Sequence, residues 1–179
     1  MSMVSGISDE KLIEMIRGSD KSLYAEIIRR YQKKLMRYAG YLMSDEHARE
    51  DVVQEGFIKA YINLNGFDVK KKFSSWIYRI VHNEAMNILN RQKRHKPIDD
   101  KVEFDSGVDL EDEFIRKELR DHLHSCLEKM PVIYKEPLTL FYMEEKPYEE
   151  IGDILKIPVG TVGTRINRAR GLMKKICKK

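Results

Sequence analysis

The stretch "PYEEIGDILKIPVGTVGTRINRARGLMKK", residues 147–175, holds two helical patterns on either side of a short segment with a proline and a glycine. Val162, Ile166, Ala169, Met173 and Ile176 recur at helical spacing and form one apolar stripe. On the same wheel Thr164, Asn167, Arg168, Gly171 and Lys175 point the opposite way, with Arg165 and Arg170 on the flanks. Just upstream, Pro147 can occupy the first position of a short helix whose apolar side is Ile151, Ile154 and Leu155. Gly152 would let the two helices approach closely, and residues 156–160 would make the turn. Two short helices so joined, the second basic and polar outward, predict a helix-turn-helix.

An αα-hairpin with a merely solvated outer face has the same pattern. The charge distribution favours a nucleic-acid reader. No acid follows Asp153, whereas eight lysines or arginines do. Thr164, Asn167 and Arg168 are residue types that hydrogen-bond base edges in a major groove. Arg165 and Arg170 would reach phosphates, which position a protein without reading sequence.

The remaining sequence sets this motif at one end of a helical chain. Its 179 residues suit one medium domain or two small ones, and 42% hydrophobic with 35% charged residues allows buried cores under a very polar surface. Net charge is +4 but unevenly spread. Residues 97–113 carry eight acids and one lysine, which leaves 32 basic and 21 acidic residues elsewhere. That segregation favours a polyanionic partner. Cys126 and Cys177 form no CxxC and no paired framework, so both are expected as reduced thiols of an intracellular protein. There is no apolar run of membrane-spanning length and no signal-peptide pattern, so a soluble, cytoplasmic chain without membrane insertion is expected. No repeat of solenoid spacing occurs.

Helical patterns dominate, and no stretch alternates long enough to predict a strand. Ser8, followed by Asp9 and Glu10, starts a helix that Gly18 ends. A longer pattern runs over 21–43, and Ser44 is expected to cap another that ends at Asn65-Gly66. A fourth covers 74–94 and is closed by Pro97. Residues 97–112 have no apolar stripe and read as an acidic, flexible tether. Helices resume over 111–129 and 131–143, where Pro137 should start or kink its helix. The prediction is an all-α protein: a helical domain 1–96, the tether 97–112, and a small helical domain 113–179.

Two faces of the first domain carry chemistry. In "DVVQEGFIKAYINL", residues 51–64, Val53, Phe57, Ala60, Tyr61 and Leu64 share the inward side. Asp51, Glu55, Ile58 and Ile62 share the other, which suits either docking of a basic, partly apolar partner or cover by a further helix. In "SSWIYRIVHNEAMNILNR", residues 74–91, Ile77, Val81, Ala85, Ile88 and Leu89 face inward. Opposite them stand Trp76, Arg79, Asn83, Asn87 and Asn90, preceded by Lys70, Lys71 and Lys72. An indole to stack, amides to read edges and lysines to hold a backbone suit unpaired bases. Trp76 could equally be a core residue with its N–H satisfied.

"EDVVQEGFIKAY", "KFSSWIYRIVHNEAMNIL" and "YEEIGDILKIPVGTVGTRINRARGLMKK" together resemble regions 2 and 4 of bacterial extracytoplasmic-function (ECF) sigma factors, in family order and over nearly the whole chain. The resemblance implies a non-enzymatic subunit that directs core RNA polymerase to promoters and needs no cofactor. It implies that Asp51, Gln54, Glu55 and Ile58 bind the clamp helices of the largest subunit. Lys71, Lys72, Phe73, Ser74, Trp76, Arg79 and Asn83 would capture flipped bases of the minus-ten element. Thr161, Thr164, Arg165, Asn167, Arg168 and Arg170 would engage the minus-thirty-five element, with their domain resting on the β-subunit flap. The tether would enter the polymerase's RNA path, although a solvated spacer has the same composition. An anti-sigma factor is an expected further partner.

Two positions depart from the family pattern. Gly163 stands where a long basic or polar side chain is usual, and Asn167 replaces a histidine or aromatic residue with an amide that favours adenine. A freestanding helix-turn-helix regulator is the alternative; it would need a ligand pocket or dimer helix in the first half. A helical metalloenzyme is disfavoured because no Glu-x-x-His occurs. His122 and Cys126 share a helical face, but two ligands make a poor metal site, and no metal is expected. His47, His82 and His95 read as surface or packing residues.

Overall fold

The computed structural model describes residues 6–18, 20–95, 118 and 122–178, and every regular element among them is helical. In chain order these are α1 (Asp9–Gly18), α2 (Tyr24–Leu42), α3 (Glu46–Ile62), α4 (Phe73–His95), α5 (122–128), α6 (Val132–Tyr142), α7 (Tyr148–Leu155) and α8 (Val159–Ile176). The all-α expectation holds. The acidic tether at 97–112 lies outside the described residues.

The helix starts follow local chemistry. Ser8 caps α1 as expected, its hydroxyl accepting from the Lys11 amide at 3.2 Å. For α3 the cap is Asp45, which accepts from the Ala48 amide at 3.2 Å. Ser44, expected in that role, instead donates to Glu128 at 2.8 Å. The shorter reach of Asp45, one residue nearer the first turn, wins the cap. Short 3-10 turns at Lys21–Leu23 and Leu64–Gly66 frame α2 and follow α3. Pro137 lies inside α6 and is buried.

In the first half, α1 to α4 pack around Leu12, Ile27, Leu35, Phe73, Ile77 and Val81, all without solvent exposure. α3 and α4 meet closely at Gly56, where an added Cβ would lie 2.5 Å from Val81 Cγ2. Arg30 ties α1 to α2 by donating to Asp9 at 2.8 Å and to Glu26 at 2.9 Å. Hydrogen bonds from Arg29 and Arg30 hold the Glu26 carboxyl down at about 2.

The second half is built from α5 to α8, and it packs on the first. Leu140, Ile151, Ile154, Val162 and Ile166 belong to the same apolar cluster as Leu35 and Ile77. α7 lies against α4 and α6 against α2. Buried carboxylates from the second half are met by donors from the first, as burial of charge requires. Arg37 forks onto Glu144 at 2.7 and 2.9 Å, and the Tyr78 hydroxyl donates to the same carboxylate at 2.6 Å. Burial and that carboxylate both raise the Tyr78 pKa well above the usual phenol range.

The cysteines are not the independent thiols the sequence suggested. Cys126 and Cys177 form a disulfide that joins α5 to the end of α8, with Cα atoms 5.7 Å apart and 51 residues between them in sequence.

Candidate nucleic-acid interface

The turn before α8 is set by one residue. Lys156 takes the left-handed conformation at φ 55°, ψ 45°, and the Ile157 amide returns to the Gly152 carbonyl at 3.1 Å. This bond closes a Schellman-type end to α7. A Cβ on Gly152 would lie 2.9 Å from the Ile157 carbonyl oxygen, so the close approach expected there is real. Pro147 precedes α7 as its cap rather than its first residue, and α8 begins at Val159, so Gly160 belongs to the helix and not to the turn. Pro158, with its fixed φ and no N–H, serves the last position before a helix without loss.

Helix α8 then places its faces by period. Val162, Ile166 and Ala169 are buried, with Met173 and Ile176 partly so. Burying the Val162 and Ile166 side chains contributes about 1.5–3 kcal/mol each, which fixes the rotation of the helix. Thr164, Asn167, Arg168 and Arg170 are exposed, and Thr161 and Arg165 half-buried. The Thr164 hydroxyl donates to the Gly160 carbonyl at 2.9 Å, which leaves its methyl and lone pairs outward. At Gly163 a Cβ would sit 3.3 Å from the Tyr148 ring, so the missing long side chain has a packing counterpart.

On α4, the Trp76 ring is half-buried, tilted against Phe67 at 5.1 Å and Phe73 at 5.6 Å between centroids. It is thus both a packed residue and a wall. Trp76, Ile80 and Asn83 line an open pocket of about 550 Å³ with Ile62, Asn63 and Gly66. Asn83 is exposed, whereas Phe73 is fully buried and meets the pocket only through the indole it supports. Lys71 is exposed and Arg79 half-buried, and neither lines the pocket.

Two other expected residues are engaged by the second half. The Lys72 ammonium lies 2.5 Å from Glu150 of α7, and the Ser74 hydroxyl donates to that carboxylate at 3.3 Å. Lys146 approaches it at 3.4 Å and Ser75 at 3.4 Å. Burial pushes the Glu150 carboxyl up, but the Lys72 hydrogen bond and the Lys146 and Lys72 charges outweigh it, and the net shift is downward. Nothing local in the sequence singles out Glu144 and Glu150. In "MEEKPYEE" four glutamates look alike, and only the fold marks two of them for burial.

Helix α3 carries the third face. Asp51, Gln54, Glu55, Ile58 and Ile62 are exposed, so no further described helix covers the isoleucines, which are 46% and 71% accessible. Tyr61, expected inward, is 41% accessible and lies edge-on to Tyr24 at 4.9 Å. Gly56 takes the buried place instead, because α4 comes too close for a ring. Gln54 and Ile58 form a ridge between two grooves of about 620 and 580 Å³, one against α2 and one against α4. Lys59 bridges Glu55 at 3.4 Å and Glu84 at 2.7 Å beside it.

Residues 27–95 match the family Sigma-70 region 2, and residues 120–173 match Sigma-70, region 4. The chain is 33% identical to the ECF RNA polymerase sigma factor SigW of Bacillus subtilis over 177 residues, 93% of this chain and 95% of that one. It is 34% identical to the ECF RNA polymerase sigma-E factor of Haemophilus influenzae, with 96% of each chain covered. Among solved structures, CnrH in complex with the cytosolic domain of CnrY shares the fold at a TM-score of 0.74, with 22% identity over 95% of this chain and 97% of that one. The sigma factor RpoE of Bartonella quintana, solved with the anti-sigma factor NepR, does so at 0.72, with 20% identity over 87% and 96%. With both sigma regions in order and a third of its residues identical to such relatives across nearly its full length, the chain belongs to the ECF RNA polymerase sigma factors.

Proposed function

We propose that this protein is a non-enzymatic initiation factor that binds core RNA polymerase through α3, reads the minus-thirty-five element with α8, and captures unpaired minus-ten bases at the Trp76–Asn83 pocket. The observation that carries the reading is the orientation of α8. Its apolar stripe is buried while Thr164, Asn167 and Arg168 stand outward together, flanked by Arg165 and Arg170. Such a face offers bidentate donors to base edges and cations to phosphates. The Trp76 ring can stack on an extruded base while the Asn83 amide reads its edge.

The α3 ridge suits a pair of partner helices, because grooves lie on both sides of Gln54 and Ile58. Asp51 and Glu55 steer a basic partner, and Ile58 buries against it. A freestanding regulator would need its own ligand pocket or dimer helix in the first half; that half instead matches sigma region 2. A cytoplasmic site of action, rest on the β flap and control by an anti-sigma factor follow from the same reading. No described helix is long and apolar enough to cross a membrane.

The docking assignment is tested by capture of core polymerase. Asp51→Lys with Glu55→Lys should abolish retention of core while leaving helical content unchanged, since both side chains are exposed. Equal retention by wild type and double variant would overturn the assignment.

A further inference from the structure

His122 and Cys126 are one helical turn apart on α5, so their side chains share a face. The His122 Nε2 atom lies 3.7 Å from Cys126 Sγ. Cys177 caps the far end of α8 and brings a second sulfur to the same point. One ligand atom from each of the three residues falls within a cluster 4.8 Å across. Met173 Sδ lies 3.5 Å from Cys177 Sγ and adds a thioether at the edge.

These distances fit a metal. Ligands at about 2.3 Å for sulfur and about 2.0 Å for nitrogen sit roughly 3.5–3.8 Å apart across a tetrahedral edge. The histidine–cysteine separation already has that value. The two sulfurs need only part to that distance once their bond is reduced, a change that side-chain rotation supplies. Two soft thiolates and a borderline imidazole select Zn2+ or Cu+ over oxygen-seeking cations. A reducing compartment keeps such thiols reduced. Cys126 is buried and His122 exposed, so the site opens to solvent on the imidazole side.

We propose that, once reduced, His122, Cys126 and Cys177 form a binding site for a single thiophilic d10 cation, Zn2+ or Cu+, at the seam between α5 and the carboxy end of α8. The disulfide and the metal-bound form exclude each other. Reduction by a phosphine delivers two electrons to the disulfide; one water gives its oxygen to the phosphine oxide and its two protons to the thiols. Metal binding then displaces both thiol protons to solvent, with no redox change at the ion. The bound cation would clasp the first and last helices of the second half, one of which is the proposed recognition helix.

The full chain reduced with a phosphine, which leaves as its oxide, and desalted without air provides the test. Zn2+ and Cu+ are each titrated in competition with a chromogenic chelator. One equivalent of at least one ion should bind, and the air-oxidised disulfide form should bind none. Co2+ as a probe should give thiolate charge-transfer bands with tetrahedral d–d bands. Cys126→Ser with Cys177→Ser should weaken binding by about two orders of magnitude. Because Cys126 is buried, the exposed His122→Gln variant provides a second check, with retained fold and affinity lower by about tenfold. Met173→Leu separates the ions: it should weaken Cu+ and leave Zn2+ unchanged. A reduced wild type that takes up no more of either ion than the double serine variant overturns the proposal, as does unchanged affinity in His122→Gln. The readout uses neither polymerase nor DNA, so its failure is distinct from failure of the sigma-factor reading.

Discussion

At Gly152 the absence of one methyl group sets the angle of the reading helix. A Cβ there would meet the Ile157 carbonyl oxygen at 2.9 Å, and backbone cannot swing aside as a flexible side chain can. Gly152→Ala should destabilise the second half by about 1–3 kcal/mol, read as a lower thermal midpoint with reduced DNA affinity. At Asn83 the effect should be on opening rather than on folding, since the side chain is exposed. Asn83→Ala should leave closed-complex binding intact and reduce permanganate reactivity of the opened promoter region several-fold. Normal opening by this variant would remove the amide from base capture.

Within single helices, period alone makes the buried face legible. The buried stripe and outward polar face of α8 were legible because burial in a helix repeats at 3.6 residues, whatever covers it. The α3 and α4 faces were legible for the same reason, with Tyr61 the exception because the close α3–α4 approach at Gly56 rotates the buried sector. Contacts between distant elements left no such trace. Lys72 and Glu150 are 78 residues apart, and Cys126 and Cys177 are 51 apart. No local rule pairs them. Ser44 and Asp45 show the limit on the local side: both are good caps, and sequence cannot say which side chain is freed for Glu128.

Taken whole, the molecule has its halves closed on each other. Lys72 and Ser74, expected to hold promoter DNA, are paired with Glu150, so engagement of the minus-ten element by these two competes with that contact. Glu150→Gln should loosen this contact and raise the radius of gyration measured by small-angle scattering. The same expansion should appear in wild type on acidification. The Glu150 carboxyl is held below its ordinary value of 4.5 in the closed form. Its contribution to closure is therefore fully present above pH 4.5 and is lost as pH falls through the lowered value. A radius that is independent of both the substitution and this acid range would mean that Glu150 does not hold the halves together.

If α8 gives core polymerase its promoter choice, run-off transcription from a promoter library will register it. Core with the wild-type chain should yield transcripts from a defined promoter class that core alone does not produce. Arg168→Ala should weaken promoter binding by about 1–3 kcal/mol and relax preference at one position of the minus-thirty-five element. Transcripts that do not depend on the chain, or an Arg168→Ala motif and yield identical to wild type, would contradict the account.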